Sequence, residues 1–152
     1  NTDAEGRLAL ADAMAYVVKN YKPSRIVDFA TLTGSIVAAL GEDYAGLFST
    51  DKVADKILEA GDYVGEKVWR MPLPDDYNEL LKSKIADLNN ISSSNYGGAI
   101  TAALFLKNFV GETPWTHIDI AGTARGSKRK HYWPVYGTGF GVRLMLEWLR
   151  KN

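Results

Sequence analysis

The chain has 152 residues, which suits one domain able to bury roughly two-thirds of its unfolded surface. Its 18 basic and 18 acidic residues cancel, and no basic cluster is longer than Lys128-Arg129-Lys130, which argues against nucleic acid as the main partner. Without cysteine there is no disulfide or thiolate metal site, and without an apolar run of about 18 residues or a signal peptide the expectation is a soluble intracellular protein.

Residues Asn1-Thr2-Asp3-Ala4-Glu5-Gly6-Arg7 set two carboxylates and a guanidinium at alternate positions, just ahead of the apolar run Leu8 to Val18. In an extended backbone, side chains two apart share a face, so Asp3, Glu5 and Arg7 could converge on one spot. Converging carboxylates repel each other and hold a cation or a proton between them; a divalent metal with oxygen ligands is the obvious occupant. The same residues also fit a capping box, Thr2-Asp3-Ala4-Glu5, and acidic residues favour a first helical turn. Spacing alone leaves both readings open. The chain opens on Asn1 with no initiator methionine, and the expectation is a piece of a longer protein.

Leu8 to Tyr21 predicts a helix of almost wholly apolar composition, hence buried on nearly all sides, stopped by Pro23. Arg25 to Ala30 predicts a short buried strand, with Asp28 either a hydrogen-bonded core carboxylate or a functional one. Thr31-Leu32-Thr33-Gly34-Ser35 predicts the turn into a helix Ile36 to Leu40. A small turn between strand and helix is where α/β proteins place ligands. It has neither the lysine of a phosphate loop nor the three glycines of a dinucleotide fingerprint, so a phosphate-binding domain is disfavoured.

Tyr44 to Ser49 predicts a strand and Asp51 to Val64 a solvent-facing helix, apolar on one stripe. A short strand Trp69 to Leu73 and a short helix Asp75 to Leu81 follow, and Ser83 to Gly98 is polar and irregular, as surface loops and active-site rims are. Gly97-Gly98 leads into a second apolar helix, Ala99 to Val110. In the strand Trp115 to Ile120, His117 and Asp119 share a face, as ligands or as a hydrogen-bonded polar pair. Ala121-Gly122-Thr123-Ala124 is small throughout. Arg125 to Tyr136 interleaves basic and aromatic residues, including His131, Tyr132 and Trp133, a weak single-strand-binding signal in a neutral chain. Thr138 to Arg150 predicts the final helix. Alternating strands and helices, two of the helices apolar all round, predict a three-layer α/β/α domain.

The blocks NTDAEGRL (Asn1 to Leu8), DFATLTG (Asp28 to Gly34), GGAITA (Gly97 to Ala102), HIDIAGTA (His117 to Ala124) and GFGVR (Gly139 to Arg143) occur in this order along essentially the whole chain. This series resembles the leucine aminopeptidase (cytosol aminopeptidase) family of two-metal peptidases. The resemblance implies a mixed sheet, a chain that is the C-terminal part of one catalytic domain, and a cytoplasmic hexamer. It further implies peptide substrates cleaved at leucine-like N-terminal residues by a water bridging two divalent ions, manganese or zinc, with magnesium as an alternative. Asp3 is then a ligand of one metal and Glu5 bridges both. Arg7 holds a bicarbonate that serves as general base. Thr31, Leu32 and Gly34 face the peptide, and Ala121 and Ala124 floor the pocket for its first side chain.

In similar proteins the other ligands, a lysine and two aspartates, and a second catalytic lysine precede NTDAEGRL, so the expectation is that the 152 residues alone are inactive. Serines stand where relatives often carry Gly-Gly-Arg in the Ser83 to Gly98 region. The rival expectation is a non-catalytic oligomerisation or DNA-binding module of the same fold.

Overall fold

The structure is a computed structural model that describes residues 1–126 and 133–151. The strands are β1 (Ile26–Ala30), β2 (Ala45–Ser49), β3 (Val68–Arg70) and β4 (Trp115–Asp119); β-branched and aromatic residues favour β1, β3 and β4, whereas β2, Ala-Gly-Leu-Phe-Ser, is held by its pairing and burial. They pair in the order β1-β4-β2-β3. β1 runs parallel to β4, with Ile26 opposite Trp115; β2 runs antiparallel to β4, with Gly46 opposite Asp119; and β2 is parallel to β3. The sheet is therefore mixed, as anticipated.

Helices α1 (Glu5–Tyr21), α2 (Gly34–Leu40) and α4 (Gly98–Lys107) lie on one face of the sheet, and α3 (Val53–Val64) and α5 (Val142–Lys151) on the other. Because side chains alternate along a strand, each face has its own core. Phe48 and Trp115 pack with Met14, Ile36 and Leu104, while Leu47 and Ile118 pack with Ile57, Leu144 and Trp148. This is the α/β layering anticipated from the sequence. A two-residue ribbon, β5 (Arg125–Gly126) with β6 (Tyr136–Gly137), flanks the basic and aromatic segment whose Lys128 to Tyr132 lie outside the described residues.

Four expectations are corrected. Residues Thr2–Ala4 form a 3₁₀ turn that passes into α1 at Glu5, so the alternation of an extended strand does not apply to Asp3, Glu5 and Arg7. The capping box is absent too: Asn1, not Thr2, accepts from the Asp3 amide, and no side chain caps α1. α1 buries only Ala11 and Met14, and Leu8, Tyr16 and Tyr21 are exposed, because within this chain it packs chiefly on α4 while its other flank faces outward. α4, by contrast, is buried from Thr101 to Leu106 as its composition requires. Finally, α5 begins at Val142 rather than Thr138, since Gly139 and Gly141 have φ values of 69° and 95°, outside the right-handed helical region. Asp75–Leu81 is helical, but of the tighter 3₁₀ kind.

Candidate active site

The first turn of α1 is placed by a loop residue more than eighty positions away. Asn90 donates its side-chain amide to the Asn1 carbonyl at 2.7 Å, and its own carbonyl accepts from Arg7 Nη1 at 2.7 Å. The otherwise irregular Ser83 to Gly98 stretch is thus the clamp for the charged motif. Its polarity was legible in the sequence, but a lone Asn in a loop carries no periodic signal that would single it out.

The turn after β1 is placed by Asp119, the last residue of β4, which is buried. Its Oδ1 accepts from the Leu32 amide at 3.1 Å and the Ala121 amide at 3.2 Å, and its Oδ2 from the Thr33 hydroxyl at 2.7 Å. Thr33 Oγ1 in turn accepts from the Ile36 amide at 3.1 Å and so caps α2. A carboxylate surrounded by donors is the arrangement in which a buried charge is tolerated. His117, on the same face of β4, has a different partner. Its Nδ1 lies 2.6 Å from Asp28 Oδ1, while Trp115 Nε1 donates to Asp28 Oδ2 at 2.8 Å. Asp28 is therefore a hydrogen-bonded core carboxylate, and His117 and Asp119 are each bonded, though not to one another.

Between these two scaffolds lies a cavity of about 470 Å³, lined by residues of the Asn1 to Arg7 motif, the Thr31 to Ser35 turn, the loop from Ile91 to Asn95, and Gly98 and Thr101 of α4. Gly98 approaches the turn closely: a Cβ at that position would stand 2.4 Å from Ser35 Oγ, and the Ser35 side chain would have to turn away. Six of the residues singled out from the sequence, Asp3, Glu5, Arg7, Thr31, Leu32 and Gly34, meet in this cavity. Ala121 lines a neighbouring cavity of about 480 Å³ together with Val37, Glu42 and Tyr136, and Ala124 lines neither of the two.

The charges are unevenly solvated. Asp3 and Glu5 are exposed, whereas Arg7 is half-buried. Burial pushes the Arg7 pKa down, and the negative charge of Asp119 opposes that fall. Arginine stays protonated regardless, so the cavity presents a fixed cation beside two carboxylates. A guanidinium is a planar fork of donors matched to a carboxylate-like oxyanion, and one donor is spent on Asn90, which leaves a donor set that fits bicarbonate. The fit for a metal pair is incomplete. Among the described residues no group of three His, Asp or Glu converges, and two carboxylates are too few for two divalent ions.

The site is thus a cavity of an α/β domain in which two carboxylates and a guanidinium, at the start of α1, face the turn that follows β1. The chain belongs to the cytosol aminopeptidase family, whose catalytic domain it matches over residues 1–146. It is 55% identical over 146 residues to a probable cytosol aminopeptidase of Brucella melitensis, covering 95% of this chain and 30% of that protein. Proteins of the same description from Cenarchaeum symbiosum and Sinorhizobium fredii are 52% and 51% identical, covering 99% and 100% of this chain and 32% and 31% of theirs. The chain thus spans about a third of the length of the curated relatives it matches. Among the described residues no helix is long and apolar enough to cross a membrane.

Proposed function

We propose that the protein carrying this chain is an aminopeptidase that releases leucine-like residues from the N-termini of peptides, and that residues 1–152 are the C-terminal part of its catalytic domain. The observation that carries this reading is the meeting of Asp3, Glu5 and Arg7 with the Thr31 to Gly34 turn in one cavity, although a β-strand and a long helix separate them in sequence. Asp3 and Glu5 contribute two carboxylates to a centre for two divalent ions, manganese, zinc or magnesium. The remaining ligands come from the part of the relatives' length that this chain does not match. Arg7, held by Asn90, orients bicarbonate, which supplies a base when bound, and its charge stabilises negative charge developing on the attacked carbonyl. Backbone groups near Leu32, with Thr31 and Gly34, lie along the peptide, and Ala121, in the second cavity, lies toward its first side chain, a place that Ala124, which lines neither cavity, does not share. The reading carries with it a cytoplasmic homo-hexamer and no nucleic-acid partner. The 152 residues alone are inactive, since two carboxylates do not complete the metal centre.

The test is Arg7→Ala in the full-length protein. Removing a preorganised cation from a site of developing charge lowers kcat by about 10²- to 10³-fold. Arg7→Lys recovers little, because an ammonium does not reproduce the planar fork. Unchanged kcat in Arg7→Ala would remove Arg7 from the chemistry.

A further inference from the structure

One buried carboxylate oxygen ties together the turns that line the two cavities. Asp119 Oδ1 accepts the Leu32 amide, from the turn lining the first cavity, and the Ala121 amide, from the turn lining the second. Its other oxygen fixes the Thr33 hydroxyl, which caps α2. Asp119 is 1% exposed, so it reaches no ligand itself, and water does not compete for its donors. The strand pairing supports the same junction, for the Ile120 amide donates to the Ala30 carbonyl at 2.9 Å and holds the ends of β4 and β1 in register where the turns begin. The sequence offered Asp119 only as a ligand or as half of a polar pair with His117, because its actual partners Leu32 and Thr33 stand 87 and 86 positions away.

We infer that Asp119 is a positioning residue for substrate: it fixes the spacing of the Leu32 and Ala121 turns, the two walls between which a peptide's first residue is laid. The inference rests on the aminopeptidase reading above and adds to it the group that sets the geometry of those walls. A carboxylate serves all three donors with charge-assisted bonds. An amide in its place can keep one oxygen on the Leu32 and Ala121 amides, but it turns an NH2 instead of an acceptor toward the Thr33 hydroxyl and takes the charge from every bond, so the hold on both walls weakens. Misplaced walls weaken the hold on substrate without removing the reacting groups, so the effect falls on KM. A role in stability alone would instead reduce the amount of folded enzyme and leave KM unchanged.

The experiment compares Asp119→Asn and Asp119→Ala with the wild type in the full-length, metal-loaded protein, measuring kcat, KM and the thermal midpoint on a leucyl peptide. Asp119→Asn is expected to raise KM about tenfold while kcat stays within about threefold, with a larger rise in KM for Asp119→Ala. Ile57→Val, in the core on the far side of the sheet, calibrates pure destabilisation: its midpoint falls and its KM does not move. Should Asp119→Ala not fold, Asp119→Asn decides, and a KM within about twofold of wild type there overturns the inference whatever the midpoint does. A wild-type protein that cleaves no peptide defeats the aminopeptidase reading but not the bridge. Hydrogen exchange at the Leu32 and Ala121 amides then decides: about tenfold faster exchange in Asp119→Asn supports it, and unchanged exchange overturns it.

Discussion

At the scale of single residues, charges matter here through their partners. Asp51 illustrates the sign of such effects. Burial pushes its pKa up, but hydrogen bonds from the Arg25 side chain and from the Val53 and Lys52 amides more than offset this and leave the carboxyl below its ordinary value. A depressed carboxylate adds stability that is fully present above the unfolded pKa, near about 3.9, and is lost as pH falls through the folded value. The Arg25 pair is half-exposed, so its worth is about 1 kcal/mol or less. In urea titrations the advantage of wild type over Arg25→Met should stay level from about pH 7 to about pH 5 and shrink below about pH 4. An advantage that persists undiminished to about pH 2 would show that packing of the Arg25 stem, not the ion pair, is responsible. Asp3, Glu5 and Arg7 stood out at this scale because they form a dense local string, but their spacing left a metal site and a helix cap both open, and only the ordered family blocks favoured the first. Asn90 and Asp119 did not stand out, since what distinguishes them is a partner far off in sequence.

At the scale of elements, the sequence showed which segments are helices and strands better than it showed how they are covered. α4 and α1 are both strongly apolar, yet α4 is buried nearly throughout and α1 on one side only. Composition states what a helix needs, and only the packing states what covers it. The start of α5 was misjudged for a related reason. Gly139 and Gly141 hold the chain out of the helix, and Glu66, from the segment after α3, then accepts from the Gly141 and Leu144 amides at 3.0 and 2.9 Å. A buried carboxylate thus caps α5 from 75 residues away, which no local cap signal could reveal. The contrast in cover gives a measurable difference. Leu104→Ala, in the core between α4 and the sheet, should cost about 2–5 kcal/mol in denaturant unfolding. Leu149→Ala, on the exposed side of α5, should stay within about 0.5 kcal/mol. Equal losses would mean that the α5 face is buried against something in solution.

At the scale of the molecule, a mixed sheet with a core on each face brings the ends of β1 and β4 together; the turn leaving β1 meets the charged motif in one cavity, and the turn leaving β4 lines a second. The layering followed from alternating strands and apolar helices. The reaction assigned to the site did not follow from that pattern; it came from ordered sequence blocks that the family match supports. The central claim is that this cavity is part of a two-metal aminopeptidase centre whose other ligands lie outside the 152 residues. The most direct test is metal content and release of leucine from a leucyl-arylamide, measured side by side on the full-length protein and on the 152-residue chain after dialysis against manganese or zinc. The full-length protein should bind about two metals and turn over, and the chain alone should do neither. Metal-dependent turnover by the chain alone, or a full-length protein that binds no metal and cleaves no leucyl substrate, would contradict that claim.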